Sequence, residues 1–231
     1  MLVIEPFPGV VVAATSRSSG DFAIHSPGVV DRRCAVAGVR PVAWLTQVHG
    51  AAVADFSLPA ATADHCGVCA DAAVTSQVGT ALCVITADCV PIALWSDDGA
   101  IGIVHAGWRG LLSGVIERSV AAVRKRSGSE ARVHALVGPS IHSECYEFGP
   151  LDLDLVAGAY GDIVRATTRA GSPALDMPAA VVAALSVAGA APWIGPGTSG
   201  FDTCTACDDH WYSWRARRDA GRQALFIWRT S

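Results

Sequence analysis

Three short motifs constrain this chain most, because each ends or follows a valine-rich run and each carries one residue able to hold a metal. They are Thr46-Gln47-Val48-His49-Gly50, Thr86-Ala87-Asp88-Cys89-Val90-Pro91 and Val104-His105-Ala106-Gly107-Trp108-Arg109-Gly110. The ligand-type residues stand 40 positions apart (49 to 89) and then 16 apart (89 to 105). Such spacing does not build a compact finger, so the three can meet only if separate strands bring their ends together. Two imidazoles and one thiolate form the three-ligand set of a catalytic zinc that keeps its fourth position open.

The runs that carry them are rich in β-branched residues and bounded by Gly and Pro: Gly9–Thr15, Val42–Leu45, Ala81–Thr86, Pro91–Trp95, Ile101–His105, Arg132–Val137 and Ala224–Trp228. Their length and content favour buried strands. Asp97-Asp98-Gly99 between two of them is a hairpin signal. Leu111–Arg126 has apolar residues at helical spacing, and Leu151–Tyr160 and Pro178–Ala190 are further helices, the last with Pro at its start. Strands and helices mix without strict alternation. The expectation is one α/β (α+β) domain over residues 1–231, with a mixed β-sheet flanked by helices.

Composition narrows the function. Of 231 residues, 51% are hydrophobic and 16% charged, enough to build a large core. A net charge of −4 with only 17 Lys and Arg gives no field for a nucleic-acid backbone. Arg124-Lys125-Arg126 reads as a solvated helix C-terminus. No stretch approaches the ~18 apolar residues of a membrane span, and the segment Met1–Thr15 reads as a first strand, not a signal peptide. The eight cysteines are expected to be reduced and the location cytoplasmic.

Taken singly, His49 could be a hydrogen-bonded structural residue and Cys89 a buried space-filler; the combination with His105 is what points to a metal. Asp88 could order a ligand or accept a proton, or simply cap a turn. Arg109, at the start of a helix, suits an anion or a surface ion pair. Cys66-Gly-Val-Cys69 and Cys204-Thr-Ala-Cys207, with His65 and His210 nearby, could be incidental thiols or a second metal site.

The strings TQVHG, DAAVT, TADCVPIAL, IGIVHAGWRG, VGPSIHSECYEFG and CT…YSWR…GRQALFIW together resemble the YfiH-type family, from about Val42 to Trp228. That family has been labelled multicopper polyphenol oxidase or laccase-domain protein, and also purine nucleoside phosphorylase. The resemblance implies zinc held by His49, Cys89 and His105, with copper as the alternative metal. It implies phosphorolysis of adenosine, inosine, guanosine and methylthioadenosine, and deamination of adenosine. Deamination asks for an activated water at the carbon bearing the amino group; phosphorolysis asks for an anion site beside the sugar. Arg17, in a stretch similar to the family's Thr-Arg-x-Gly-Gly, and Arg109 are the phosphate candidates, with Gln47 as a further substrate contact and Asp88 in the catalytic set.

Three departures stand out: the N-terminal segment is shortened to Asp21–Gly38, Ser140-Ile141-His142 replaces Cys-Ile-Gly, and His210 replaces an aromatic. Two other readings attach to the resemblance, a hydrolase editing a muropeptide precursor and a copper-dependent polyphenol oxidase. Seven dispersed histidines make four copper centres hard to assemble. The expected partners are purine nucleosides and phosphate, with the chain a monomer or weak homo-oligomer.

Overall fold

A computed structural model describes residues 1–38, 41–56, 66–128 and 130–231. It contains two six-stranded mixed sheets where the sequence suggested one. The strands are β1 (Leu2–Phe7), β2 (Val10–Ala14), β3 (Val42–Thr46), β4 (Val53–Asp55), β5 (Cys66–Cys69), β6 (Ala72–Thr75) and β7 (Ala81–Thr86). They continue as β8 (Val90–Ser96), β9 (Ile101–Ala106), β10 (Val133–Val137), β11 (Arg165–Thr167), β12 (Pro173–Leu175), β13 (Ala191–Pro192) and β14 (Gln223–Arg229). The first sheet runs β1-β2-β14-β7-β3-β5 and the second β13-β10-β8-β9-β6-β4, while β11 and β12 form a separate hairpin. The helices are α1 (Val29–Ala37), α2 (Trp108–Leu112), α3 (Val115–Ser127), α4 (Pro150–Tyr160), α5 (Met177–Val187) and α6 (Trp214–Arg217).

The sheets stack face to face, and strand alternation shows how. In β8, Val90, Ile92 and Leu94 face the helices, packing with Ile116, Val120 and Val123 of α3. Ala93 and Trp95 point the other way, onto Val12, Leu82, Leu225 and Ile227 of the first sheet. Alternate residues of that sheet, Ala13, Cys83, Phe226 and Trp228, are covered on the far side by Phe22 and by Val29 and Ala37 of α1. Central strands are therefore buried on both faces, which is why they read as continuous apolar runs and not as alternating ones. Burying a side chain such as Ile92 or Leu94, both 0% exposed, stabilises the fold by roughly 2 kcal/mol each before entropy is counted.

The expected Leu111–Arg126 helix is broken. α2 ends at Leu112, Gly114 takes φ +79 in the left-handed region, and α3 begins at Val115. The Asp97–Gly99 turn joins antiparallel β8 and β9 as expected. The stretch Pro192–Gly200 returns the chain to β14 in the first sheet, with Trp193 packed edge-on against Trp95. No helix among the described residues is long and apolar enough to cross a membrane.

Candidate metal centre and cavity

The topology explains the long spacing of the three ligand-type residues. β3 and β7 are parallel neighbours in the first sheet, so their C-terminal ends lie together. From the end of β7 the chain crosses through Ala87-Asp88-Cys89 into β8 of the second sheet, whose first residues pair with the last of β9 (Val90 with Ala106, Pro91 with His105). His49 leaves β3, Cys89 lies in the crossing and His105 sits near the end of β9. Their ligand atoms lie within 4.8 Å of one another. Cys89 Sγ is 3.8 Å from His49 Nε2, and the two imidazole rings stand edge to face at 4.9 Å.

Asp71, immediately before β6, organises this set. Its carboxylate accepts the backbone N–H groups of Val48, His49 and Gly50 at 3.2, 2.9 and 2.7 Å. It also accepts His105 Nδ1–H at 2.8 Å, leaving Nε2 for a metal. His49 sits at φ +59, a conformation unusual for a residue with a Cβ, and the converging N–H bonds to Asp71 hold it there. Asp88 at φ +95 is a second such residue in the same site. The glycines of His-Ala-Gly-Trp-Arg-Gly make room. A Cβ on Gly107 would meet His49 Cδ2 at 2.8 Å, and one on Gly110 would meet the Gly50 carbonyl oxygen at 2.8 Å.

Electrostatics favour the donor form of the thiol. Burial opposes ionisation of Cys89, but the charge and hydrogen bond of His105, with help from His49, pull it down to about 6. Burial likewise opposes protonation of His105, and the Cys89 thiolate and Asp71 override it, raising it to about 9. Asp71 is held below the usual carboxylate range; its burial is outweighed by His105 and by the Gly50 and His49 N–H groups. Two imidazoles and one ready thiolate, with a carboxylate behind one imidazole, fit a zinc-type cation, and the thiolate also suits copper in its lower oxidation state.

Beside the ligands opens a cavity of about 440 Å³, lined by His49, Cys89 and His105 together with Ile24, Gln47, Ile85, Thr86, Ala87, Asp88, Tyr146, Trp214, Arg215 and Arg222. Gln47 lines it with its amide committed: Nε2 donates to the Ile85 carbonyl and Oε1 accepts the Ile85 N–H, both at 2.8 Å. Asp88 is buried and accepts from Thr205 Oγ1 at 2.7 Å and from the Arg215 N–H at 2.6 Å, so it fastens the cavity wall. Thr86 Oγ1 is buried with no hydrogen-bond partner among the described residues.

Neither of the two phosphate candidates is among the lining residues, though the Arg109 charge acts on Tyr146 of the cavity wall. Arg17 donates to the carbonyls of Asp209 and Trp211 and to the Asp219 carboxylate at 2.7 Å, and its guanidinium lies 4.5 Å over the Tyr212 ring. It anchors the C-terminal segment and does not line the cavity. Arg109 is exposed and stacks 4.2 Å over Trp108, also outside the lining. The arginines that do line it are Arg215, stacked 4.8 Å over Tyr146, and Arg222, braced by the carbonyls of Asp219, Ala220 and Gly221. Both lie within motifs already singled out, as does Tyr146, whose hydroxyl burial and the nearby Cys89 push up to about 12.

Cys204 and Cys207 group with Glu144 and Cys145; Cys69 is exposed on β5 and belongs to neither group. The side chain of Cys66, and His65, lie outside the described residues. His210 is exposed, bonded to Asp208, and a member of neither group.

The sequence model of the multi-copper polyphenol oxidoreductase laccase family matches residues 19–230. The chain belongs to this YfiH-type family. A purine nucleoside phosphorylase of Streptomyces coelicolor is 36% identical over 194 residues, covering 83% of this chain and 77% of the relative. One from Xylella fastidiosa is 34% identical over 234 residues, covering 97% and 86%. Among solved structures, a Neisseria meningitidis protein superposes with a TM-score of 0.83 at 26% identity, over 100% of this chain and 99% of that one. YlmD of Geobacillus stearothermophilus shares the fold, with a TM-score of 0.82 at 24% identity over 100% and 97%.

Proposed function

We propose that this YfiH-type chain is a zinc-dependent purine nucleoside phosphorylase that also deaminates adenosine. The observation that carries the reading is one cavity lined by both the His49/Cys89/His105 donor set and two arginines, Arg215 and Arg222. The similar proteins named purine nucleoside phosphorylase support it. Zinc held there would supply Lewis acidity to a nucleoside or water brought against it.

The protein groups have separate tasks. Phosphorolysis breaks the bond between the sugar C1′ and the base nitrogen while a phosphate oxygen takes the base's place. A phosphate therefore has to sit beside the sugar, and Arg215 and Arg222 are the cavity's cations. Tyr146 keeps its proton at neutral pH and is available as a hydrogen-bond donor. Thr86 Oγ1 offers an uncommitted polar contact, and Trp214 a flat apolar surface at the rim suited to a purine ring. Asp71 holds His105 in one tautomer, and Asp88 holds the wall that presents Arg215.

The test is substitution at the ligands. His49→Ala, Cys89→Ala and His105→Ala should each lose the metal of this centre, one equivalent per chain, and phosphorolysis together, with an unchanged circular-dichroism spectrum. Undiminished turnover in any of the three would overturn the assignment.

A further inference from the structure

Outside the catalytic cavity, four potential ligands converge from two chain segments. Glu144 and Cys145 lie in a single short turn (Ser143–Cys145), and Cys204 and Cys207 are the ends of a Cys-x-x-Cys turn in which Cys207 N–H donates to the Cys204 carbonyl at 3.2 Å. Their carboxylate oxygen and three sulfurs all lie within 4.8 Å of one another. Cys145 Sγ and Cys207 Sγ are 3.3 Å apart, and Glu144 Oε1 is 3.5 Å from Cys207 Sγ. Two sulfurs at about 2.3 Å from a tetrahedral zinc would stand roughly 3.8 Å apart, so small side-chain adjustments admit the ion.

We infer that Glu144, Cys145, Cys204 and Cys207 form a second, structural zinc site that clips the Cys204–Cys207 turn to the Ser143–Cys145 turn. Three thiolates select a soft tetrahedral cation over a hard one, and four protein ligands close the coordination shell. Surroundings suited to a thiolate centre are in place. Arg169 Nη2 donates to Cys207 Sγ at 3.3 Å, and the His142 N–H donates to the buried Cys204 Sγ at 3.4 Å. Thr205 N–H bonds the Ser140 carbonyl at 2.9 Å, so the two segments are already aligned by backbone. The clip has a consequence for the cavity: Tyr146 follows Cys145 into its wall, and Thr205 follows Cys204 to hold Asp88.

The decisive measurement is zinc per chain, by plasma mass spectrometry on zinc-loaded, gel-filtered full-length protein. Wild type and Cys69→Ser should carry two, and Cys204→Ser/Cys207→Ser should carry one. His49→Ala/His105→Ala should also keep one, and its cobalt-loaded form should show the intense sulfur-to-cobalt charge-transfer band of several thiolates. Should the serine variant fail to fold, the wild-type count and the cobalt spectrum decide alone. A single zinc in wild type that Cys204→Ser/Cys207→Ser retains, or a His49→Ala/His105→Ala protein without zinc or that band, would overturn the site.

Discussion

Asp71 organises the candidate metal centre from behind its ligand-type residues. One carboxylate satisfies three successive backbone N–H groups, holds His49 in a left-handed turn and fixes the tautomer of His105. Asp71→Asn keeps the shape but replaces an acceptor oxygen with a donor that must face one of these N–H groups. Outer-shell changes of this kind cost about 10–100-fold in metal affinity, and a chelator competition should show a loss in that range. Unchanged affinity would mean that the turn holds His49 without help. Gly107 has a related duty, since a Cβ there would meet the His49 ring. Asp71 was within reach of the sequence, as the first residue of Asp-Ala-Ala-Val-Thr, but its role was not. A carboxylate before a strand gives no sign that it will meet a turn 21 to 23 residues earlier.

The strands that carry the site were legible because both their faces are buried, and Val42–Thr46, Ala81–Thr86, Val90–Ser96 and Ile101–Ala106 coincide closely with the valine-rich runs. The division into two sheets was not legible. Apolar residues toward the helices and toward the other sheet look alike in sequence, and β4, β5, β11 and β13 are too short to show a period. Nor did the position of an arginine within a motif reveal its direction. Arg17 and Arg215 both stack on tyrosines, but only Arg215 lines the cavity. Arg215→Ala should therefore raise the KM for phosphate at least tenfold, whereas Arg109→Ala should leave it nearly unchanged; steady-state kinetics at varied phosphate separates the two, and the reverse ranking would contradict the placement. Arg17 belongs to stability. Asp219 is partly desolvated, but Arg17 and the Ser213 N–H hold its carboxyl below the usual carboxylate range, so its contribution is present above about pH 4 and fades as the pH falls through the lowered value. With Arg17 about a third exposed, the pair contributes about 1 kcal/mol or less. Asp219→Asn should show lower stability to urea near neutral pH and a smaller further loss on acidification than wild type. A constant difference between the two down to about pH 2 would rule the linkage out.

Stacking two mixed sheets brings the ends of β3, β7 and β9 to one seam, where the chain crosses from the first sheet to the second. Residues far apart in sequence meet there because both layers end at the same place, and the His49, Cys89 and His105 donors face one cavity instead of a closed shell. That openness separates this centre from the Glu144/Cys145/Cys204/Cys207 group, whose four ligands would close around an ion. On the proposed reading, the reaction takes place where a metal and an anion site meet. Product formation from adenosine or inosine, followed by chromatography with and without phosphate and with and without a chelator, tests that arrangement most directly. Release of adenine or hypoxanthine that requires phosphate and is lost with the metal is the predicted result. Base release indifferent to phosphate, or no turnover of either nucleoside by fully metal-loaded protein, would contradict it.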